Sequence, residues 1–592
     1  MVIEKDYRLA RVSKISLFMN GAGEGNIIFG DGLENQPEKQ IENNSFDILV
    51  ANPPYSVKAF KSHLKLKNNS FELFNKITND GSEIETLFVE RIAQLLKPKG
   101  IAAVILPSSI LTNGSNSYIG AREILLKNFM LRSIVQFGSK TFSATGVNTI
   151  ALFLEKYNEP PKEWKLKQDS ANAIIKSESS IDWEDNDILT EYLKKIGVNK
   201  EDYQKFTNES ASLDDFANCE YLKMYVNEFQ SSSKIIALKQ SKDFKKTSAD
   251  KQAERLKQEF YKYAKPIENE KLLYFALIYK QIVLVVTSPT DNNEQKRFLG
   301  YDWSNRKGDE GIKIQQAGGM LYNKENHNAS NTIAAAIRNN FAQKGMPNLG
   351  EEKQKYCTLT NLSNMIDFSR TSFDKAINTN ATKKLEIQSK YTLTSLSNVA
   401  LLVRGVNYGK GDQVQNQTNN IVLTADNITL SGKLEIVKKV YIRENINFPI
   451  EKQLKQNDCF ICLSSGSKEH VGKICFIEQD TNYYAGGFMG ILRSKNVVNP
   501  KFLYNLLNSK EMRYEIRNSS TGSNIQNLAN SILNIKIPLP PIDIQKQIVS
   551  ECEKVDKEYN TSRMSIEDYK KRISKIFEDL EVITHTGGGK II

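Results

Sequence analysis

The sequence has little cysteine and no long uninterrupted apolar run. Six cysteines are spread over 592 residues, from Cys219 to Cys552, so the chain lacks the dense disulfide framework of a small secreted domain. The longest apolar stretch, residues 272–286, is too short to span a bilayer, and we interpret it as core strands, or as a helix that leads into a strand. The first residues contain no apolar core typical of a secretion signal. These absences exclude a disulfide-stapled or membrane protein and predict a reducing, cytoplasmic location.

Positive charge is in excess. The chain has 80 Lys and Arg against 69 Asp and Glu, a net charge of +11 and a pI near 9.0. With 25% charged and 40% hydrophobic residues, the composition is that of an ordinary folded protein rather than a disordered one. The length predicts several domains, and the basic balance favours a polyanionic partner such as a nucleic acid.

The pattern of apolar residues divides the chain into five segments. Residues 1–157 alternate strand and helix patterns, which predicts βαβ units in a doubly wound α/β sheet. Residues 158–390 are polar and charged and predict a mixed helical and strand connecting region. Residues 391–541 predict a further α/β domain of short strands and helices. Residues 542–582 repeat apolar positions every three or four residues, which predicts one long coiled-coil helix, and we expect residues 583–592 to be a flexible tail.

The strongest short motif is Asn52-Pro53-Pro54-Tyr55, directly after the apolar strand FDILVA. Open α/β sheets bind ligands at the carboxyl ends of their strands. The side-chain oxygen of Asn52 and the carbonyl of Pro53 can each accept one hydrogen of an exocyclic amine, which directs the nitrogen lone pair at an electrophile. The prolines stiffen the loop, and Tyr55 offers a flat face for a base. The alternative is a simple turn that covers the sheet edge.

With these residues, the N-terminal 157 residues resemble the catalytic domain of adenine-N6 DNA methyltransferases, particularly the methylation subunit of type I restriction-modification systems and the fused type IIG enzymes. The resemblance implies a Rossmann-like methyltransferase sheet and S-adenosyl-L-methionine as cofactor. It makes Asn52, Pro53, Pro54 and Tyr55 the catalytic residues.

Three further positions match functional residues of that family. Glu4 matches the acid that binds the cofactor ribose, and Asp31 matches the acid that accepts from the cofactor adenine amine. Phe142 matches the aromatic that stacks on the target base opposite Tyr55. Each residue also has an ordinary explanation: Glu4 as a helix cap, Asp31 as a turn residue and Phe142 as a core residue.

One element of that family is not evident upstream of Glu4. The family binds the methionine end of the cofactor on a Gly-rich turn that precedes the ribose-binding acid. The glycines of residues 21–25 follow a helix and precede a strand, so we interpret them as a helix stop. We therefore expect the sheet to be incomplete at its N-terminus. An upstream polypeptide would supply the Gly-rich cofactor loop, and a partner would supply any nuclease.

Residues 391–582 resemble one half of a type I specificity subunit, a target-recognition domain followed by its spacer helix. The resemblance rests on LSNVALLVRGVNY, QNDCFICLSSGSKEHVGKICFI, YYAGGFMGILRSK, FLYNLLNSK and GSNIQNLANSILNIKIPLPPIDIQKQIV. It implies contacts with double-stranded DNA from basic and amide side chains. The candidates are Arg404, Lys468, Arg493, Arg513, Arg517, Asn524 and Gln526. The spacer helix could pair with a second specificity half or copy, or pack on the methyltransferase helices.

Cys459 and Cys462 have the spacing of a zinc pair, but no second pair follows and His470 has no evident co-ligands, so we expect core cysteines and no metal. The combined prediction is a site-specific adenine-N6 DNA methyltransferase of a restriction-modification system. The alternative is a non-catalytic DNA-binding specificity subunit or the remnant of a split enzyme. Methylation of RNA or of a protein glutamine is a third possibility, which the specificity-like half disfavours.

Overall fold

The structure of the protein is a computed structural model. The residues that it describes are 1–21, 23, 25–138, 141, 142, 148–177, 187–289, 291–304, 306–308, 310–315, 318–379, 388–429, 431–465, 470–519, 526–528, 531–562 and 564–583, with 187, 518, 526 and 527 described by their backbone alone. The chain divides into a first unit, Met1–Thr382, and a second unit, Lys383–Ile592.

The first unit contains strands and helices in alternation. Its strands are β1 Val2–Glu4, β2 Ile27–Phe29, β3 Phe46–Ala51, β4 Leu96–Pro107, β5 Phe129–Gln136, β6 Thr149–Lys156, β7 Ile282–Thr287, β8 Tyr301–Ser304, β9 Gly311–Ile314 and β10 Cys357–Asn361. Its helices are α1 Tyr7–Met19, α2 Phe60–His63, α3 Ile84–Leu95, α4 Asn116–Asn128, α5 Pro160–Ile175, α6 Asp187–Ile196, α7 Lys200–Thr207, α8 Glu220–Ser231, α9 Ser233–Gln240, α10 Lys242–Lys245, α11 Ala249–Ile278, α12 Asn292–Leu299, α13 Ile333–Phe341 and α14 Glu351–Gln354. The α/β class predicted for this part is confirmed.

The main sheet has six strands in the order β10-β7-β5-β6-β4-β3. It is mixed rather than wholly parallel, because β6 runs antiparallel to β4 and β5, and β10 antiparallel to β7. The register pairs Pro107 with Thr149, and pairs Gln136 with both Ile150 and Thr287. The loops that follow β3, β4, β5 and β7 therefore all leave the same edge of the sheet.

Strands β1 and β2 form a separate parallel pair that α1 connects. Ile3 of β1 and Leu49 of β3 pack against one small cluster, but within the described residues β3 pairs only with β4. Two β3 side chains on one face, Ile48 and Val50, are 65% and 79% exposed. Six apolar residues of α1 are exposed as well: Tyr7, Leu9, Val12, Ile15, Phe18 and Met19. This part of the first unit thus presents an uncovered apolar surface and an open strand edge.

The middle of the chain contributes to the main sheet. Residues 272–278 complete helix α11 and residues 282–287 form β7, so the interpretation of 272–286 as strands is wrong for its first half. A buried helix and a buried strand can both read as a continuous apolar run, which is why periodicity did not separate them. Across the described parts of the chain, no helix is both long and apolar enough to cross a lipid bilayer.

A buried polar cluster lies among the helices of the first unit. Glu268 and Lys271 of α11 form an ion pair whose side chains are both 0% exposed. The carboxylate of Glu268 accepts hydrogen bonds from four tyrosine hydroxyls: Tyr192, Tyr203, Tyr221 and Tyr225. The ammonium of Lys271 donates to the hydroxyls of Tyr221 and Tyr225 at 2.7 and 2.6 Å. Because every charge in it is paired, the cluster can be buried without unsatisfied groups.

The second unit is built on two four-stranded sheets, ordered β12-β20-β16-β18 and β13-β15-β14-β19. Its strands are β11 Leu393–Ser395, β12 Ala400–Arg404, β13 Gln413–Val414, β14 Asn420–Leu423, β15 Val440–Ile442, β16 Asp458–Cys462, β17 Ser464–Ser465, β18 Ile474–Phe476, β19 Tyr483–Ala485, β20 Met489–Ser494, β21 Gln526–Asn527 and β22 Lys536–Pro538. Its helices are α15 Leu396–Val399, α16 Pro500–Asn508, α17 Lys510–Asn518, α18 Ile542–Thr561 and α19 Ile566–Asp579.

The C-terminal segment is two helices, α18 and α19, instead of the single helix predicted over 542–582. Helix α18 ends at Thr561, and the hydroxyl of Ser565 caps the start of α19. The two helices pack on each other: the rings of Tyr559 and Tyr569 lie 4.6 Å apart, and Tyr569 donates to Asp556. Much of the apolar seam is therefore buried inside the second unit.

The six cysteines are all buried and free. Cys459 packs with Ile461 in one core cluster, whereas Cys462 packs with Phe460 in another, so the two thiols lie on opposite faces of β16. Within the described residues, no group of three or more His, Cys, Asp or Glu side chains is arranged to hold a metal ion.

We expect the native cysteines to resist thiol reagents. Burial raises the pKa of Cys357 and Cys462 to about 11 and the pKa of Cys552 to about 12, so the reactive thiolate is scarce at pH 8. Labelling of the folded protein should be slower than in denaturant by roughly 100-fold or more, as followed by mass spectrometry. Burial raises these folded-state pKa values above those of the unfolded chain. The contribution of the protonated thiols to the free energy of unfolding is therefore fully present below pH 9 and is lost as pH rises through 11 and 12. Rapid labelling of one of these cysteines at pH 8 would show that its cluster opens.

Candidate active site

The predicted catalytic tetrapeptide forms the loop directly after β3. Asn52 is exposed, Pro53 is buried beneath it, and Tyr55 is half-buried with its pKa raised by burial. Within the described residues the Asn52 side chain makes no hydrogen bond, so its oxygen is available to a ligand. Strand β3 ends beside β4 in parallel register, which places this loop at the common carboxyl edge of the sheet.

A buried carboxylate holds the other end of this loop. Glu85, at the start of α3, is 0% exposed and accepts a hydrogen bond from the backbone N–H of Ser56 at 3.1 Å. Its second oxygen accepts from the hydroxyl of Tyr118 at 2.6 Å, and burial together with Glu85 raises the pKa of Tyr118. Ser56 has a φ of +56°, in the left-handed region that non-glycine residues adopt rarely. The Glu85–Tyr118 pair therefore fixes the chain where it leaves the tetrapeptide.

Phe142 lies in the loop between β5 and β6, which leaves the same edge of the sheet. The ring is half-buried. The carbonyl of the preceding residue, Thr141, accepts hydrogen bonds from the Tyr301 hydroxyl at 3.1 Å and the Trp303 indole at 3.0 Å. The two aromatic residues predicted to hold the target base, Tyr55 and Phe142, thus belong to loops on one edge.

The two carboxylates predicted to bind the cofactor also lie close together. Glu4 ends β1, and Asp31 follows β2, its parallel neighbour. Glu4 accepts from the backbone N–H of Asp6 at 2.8 Å, and Asp31 pairs with the exposed Lys5 at 2.6 Å. Both carboxylates therefore have local partners, and both retain further acceptor capacity.

Two of the predicted DNA contacts, Arg493 and Arg513, make hydrogen bonds within the second unit. Arg493 forms a bidentate pair with Asp458 at 2.9 and 2.8 Å, and this carboxylate, only 1% exposed, raises the pKa of Arg493. Arg513 is buried and donates to the carbonyl of Gly472; burial, with Arg517, lowers the pKa of Arg513 to about 9. A charged residue type predicts the surface only statistically, and here long-range packing prevails. The Arg513 guanidinium is thus occupied inside the unit, whereas the side chain of Arg493 stays 30% exposed beside Asp458.

The other predicted DNA contacts differ in placement. Arg404 is exposed at the end of β12, and Arg517 is half-buried on α17. Gln526 lies in β21, where its backbone alone is described. Lys468 and Asn524 lie outside the described residues.

Comparison with known proteins gives two family matches. Residues 3–235 match the N-6 DNA Methylase family, and residues 410–567 match the Type I restriction modification DNA specificity domain. The EcoKI type I specificity subunit of Escherichia coli (strain K12) is 30% identical over 169 residues, which cover 28% of this chain and 35% of that protein. The Escherichia coli type II restriction enzyme and methyltransferase RM.Eco57I is 28% identical over 167 residues, which cover 24% of this chain and 16% of that protein. The chain thus spans about a third or less of the length of these relatives.

Among solved structures, the type IIG restriction endonuclease BpuSI aligns with 98% of this chain and 59% of its own, at 11% identity and a TM-score of 0.31. The N-terminal part of the chain is thus similar to the N-6 DNA Methylase family, and its C-terminal part is similar to the Type I restriction modification DNA specificity domain.

Proposed function

We propose that the protein is a site-specific DNA methyltransferase that transfers a methyl group from S-adenosyl-L-methionine to the N6 amine of adenine, as part of a restriction-modification system. The observation that supports this most is Asn52, which is exposed and makes no side-chain hydrogen bond within the described residues, in a proline-containing loop at the carboxyl edge of the sheet. The specificity domain in the same chain favours DNA as substrate and a defined sequence as target.

In this mechanism the target adenine rotates out of the duplex and is held between Tyr55 and Phe142. The Asn52 side-chain oxygen and the Pro53 carbonyl each accept one amine hydrogen, which turns the nitrogen lone pair towards the methyl donor. Held by Glu4 and Asp31, S-adenosyl-L-methionine would supply an electrophilic methyl on a positively charged sulfur. The adenine amine would give up one proton to solvent in exchange for the methyl group. The Glu85–Tyr118 pair keeps the loop in place during transfer.

Glu4 and Asp31 are suited to hold the cofactor. Carboxylates at the ends of adjacent parallel strands can accept hydrogen bonds from ribose hydroxyls and from an adenine amine. For this to occur, Asp31 must exchange its contact with Lys5, which is a solvent-exposed pair and therefore weak.

We further propose that an upstream polypeptide segment completes the cofactor site by adding a β-strand and a Gly-rich turn beside β3. In the part of the chain that the structure describes, the edge of β3 away from β4 pairs with no other strand. Ile48, Val50 and the exposed apolar residues of α1 offer a surface to cover. Cleavage of DNA would also belong to a partner. Helices α18 and α19 are also proposed to pair with a second specificity half or copy. Because many of their seam residues are buried inside the second unit, they leave a limited apolar surface for this pairing.

A second candidate function is a DNA-binding subunit without methyl transfer. The contacts that Glu4 and Asp31 make within the chain favour it, because both predicted cofactor ligands already have partners.

Cofactor binding separates the two functions. We expect isothermal calorimetry to detect S-adenosyl-L-methionine binding when the chain is mixed with a fragment carrying the strand and the Gly-rich turn, and not with the chain alone. Val50→Lys should block this complementation, because it places a charge on the surface to be covered. Leu401→Lys, on an exposed strand residue of the second unit, is the matched control. Sequence-selective DNA binding without cofactor binding in either mixture would establish the DNA-binding subunit instead.

A further inference from the structure

The hairpin of β8 and β9 contacts the Phe142 loop from the middle region of the chain. Tyr301 and Trp303 are two residues apart on β8, so their side chains point to the same face of the strand. Both donate to a single acceptor, the carbonyl of Thr141, across about 160 residues of sequence. Two donors converging on one carbonyl restrict the orientation of that peptide group in two directions.

The turn before Phe142 is also held from its other side. The backbone N–H and the hydroxyl of Thr141 both donate to the carbonyl of Gly138, at 3.2 and 2.9 Å. A Cβ atom at Gly138 would lie 2.2 Å from the side-chain oxygen of Gln295, a buried residue of α12. The turn therefore packs closely against α12 at position 138.

Fixing the Thr141 carbonyl also fixes the start of Phe142. The Thr141 carbonyl and the Phe142 nitrogen belong to one planar peptide group, so the orientation of the first sets the direction in which the second leaves. The hairpin is itself held at its base, where Lys296 of α12 pairs with Asp302 at 2.7 Å. The contact thus links a stable element to the residue before the predicted base-stacking ring.

We propose that Tyr301 and Trp303 are positioning residues that orient Phe142 over the flipped base. The proposal rests on the proposed function and extends it, since it gives the hairpin of the middle region a role in methyl transfer. Neither residue touches the base; both act through the Thr141 carbonyl.

The test removes the two donors and keeps an aromatic ring at each position. We compare the full chain with the double variant Tyr301→Phe, Trp303→Phe and with Tyr322→Phe, which removes a hydroxyl from an exposed tyrosine of the same unit. Hydrogen exchange is followed by mass spectrometry in peptides covering residues 137–149, together with the thermal midpoint. We expect faster exchange in these peptides by about fivefold with an unchanged midpoint, and no change in the control.

The rate of methyl transfer provides the second readout. It is measured with the upstream fragment that makes the chain active. The double variant should lower the single-turnover rate by about fivefold without changing the DNA concentration for half-maximal rate. In a Phe142→Ala background the same substitutions should have no further effect on the rate, because the residues act through Phe142.

The outcomes distinguish this proposal from the proposed function. Unchanged exchange over residues 137–149, or a loss of rate that is additive with Phe142→Ala, would overturn the positioning role. Absence of methyl transfer in every mixture would overturn the proposed function, and the positioning role with it; exchange would then report only whether the hairpin anchors the loop.

Discussion

Asn52→Ala should lower the rate of methyl transfer by a factor on the order of 100 to 1000 while leaving DNA affinity within about twofold. The loss is expected because the side-chain oxygen is one of only two acceptors proposed to hold the amine in line with the methyl donor. DNA affinity should persist, because sequence recognition is proposed to lie in the second unit. Incorporation of labelled methyl groups and fluorescence anisotropy with DNA measure the two quantities separately.

The structure makes this substitution an unusually clean test. Asn52 is exposed and makes no hydrogen bond within the described residues, so its truncation should change the free energy of unfolding by less than about 0.5 kcal/mol. Asn52→Asp retains an acceptor oxygen at the same place and should keep more activity than the alanine variant. Full activity of Asn52→Ala would refute the catalytic assignment, whereas loss of activity together with loss of folding would leave Asn52→Asp to decide it.

The sequence predicted the parts of the site that depend on local pattern. The tetrapeptide follows a strand, as its apolar run indicated, and Phe142 lies in a loop on the same sheet edge. Glu85 and Tyr118 were not predicted, because a hydrogen bond between residues 33 positions apart leaves no periodic signal. The same holds for Tyr301 and Trp303, whose common acceptor is about 160 residues away.

Predictions from residue type and spacing differ from the structure where long-range packing determines the conformation. Arg493 was expected on the surface, but Asp458, 35 residues earlier, draws its guanidinium into a partly buried pair. The C-terminal seam has the spacing of one long helix, yet the chain breaks after Thr561, because α18 and α19 can cover their apolar faces on each other and on the same unit. Strand β7 joins the main sheet although it lies outside the segment 1–157 for which the sheet was predicted, since its buried residues complete that sheet.

Glu268→Ala should destabilise the first unit by about 3–5 kcal/mol, the largest stability effect that we expect from a single polar substitution. The change leaves the ammonium of Lys271 buried without its carboxylate, and it removes the common acceptor of four tyrosine hydroxyls. The surface pair Glu191 and Lys194 has the same i,i+3 spacing but is largely exposed. Glu191→Ala should therefore cost less than about 1 kcal/mol.

The pH dependence identifies the cause of this loss. Burial lowers the pKa of Lys271, and Glu268 opposes that effect, so removing Glu268 should lower the pKa of Lys271 further in the folded state. A lysine whose folded pKa lies below its unfolded pKa binds fewer protons when folded, so the stability of the variant should rise, relative to the wild type, as pH increases from 7 towards 10. Urea unfolding followed by hydrogen exchange in α11 peptides measures this difference. If the loss of unfolding free energy in Glu268→Ala does not shrink as pH rises, it comes from the unpaired tyrosine hydroxyls rather than from the unpaired Lys271 ammonium. If Glu268→Ala loses no more stability than Glu191→Ala, burial does not strengthen the ion pair.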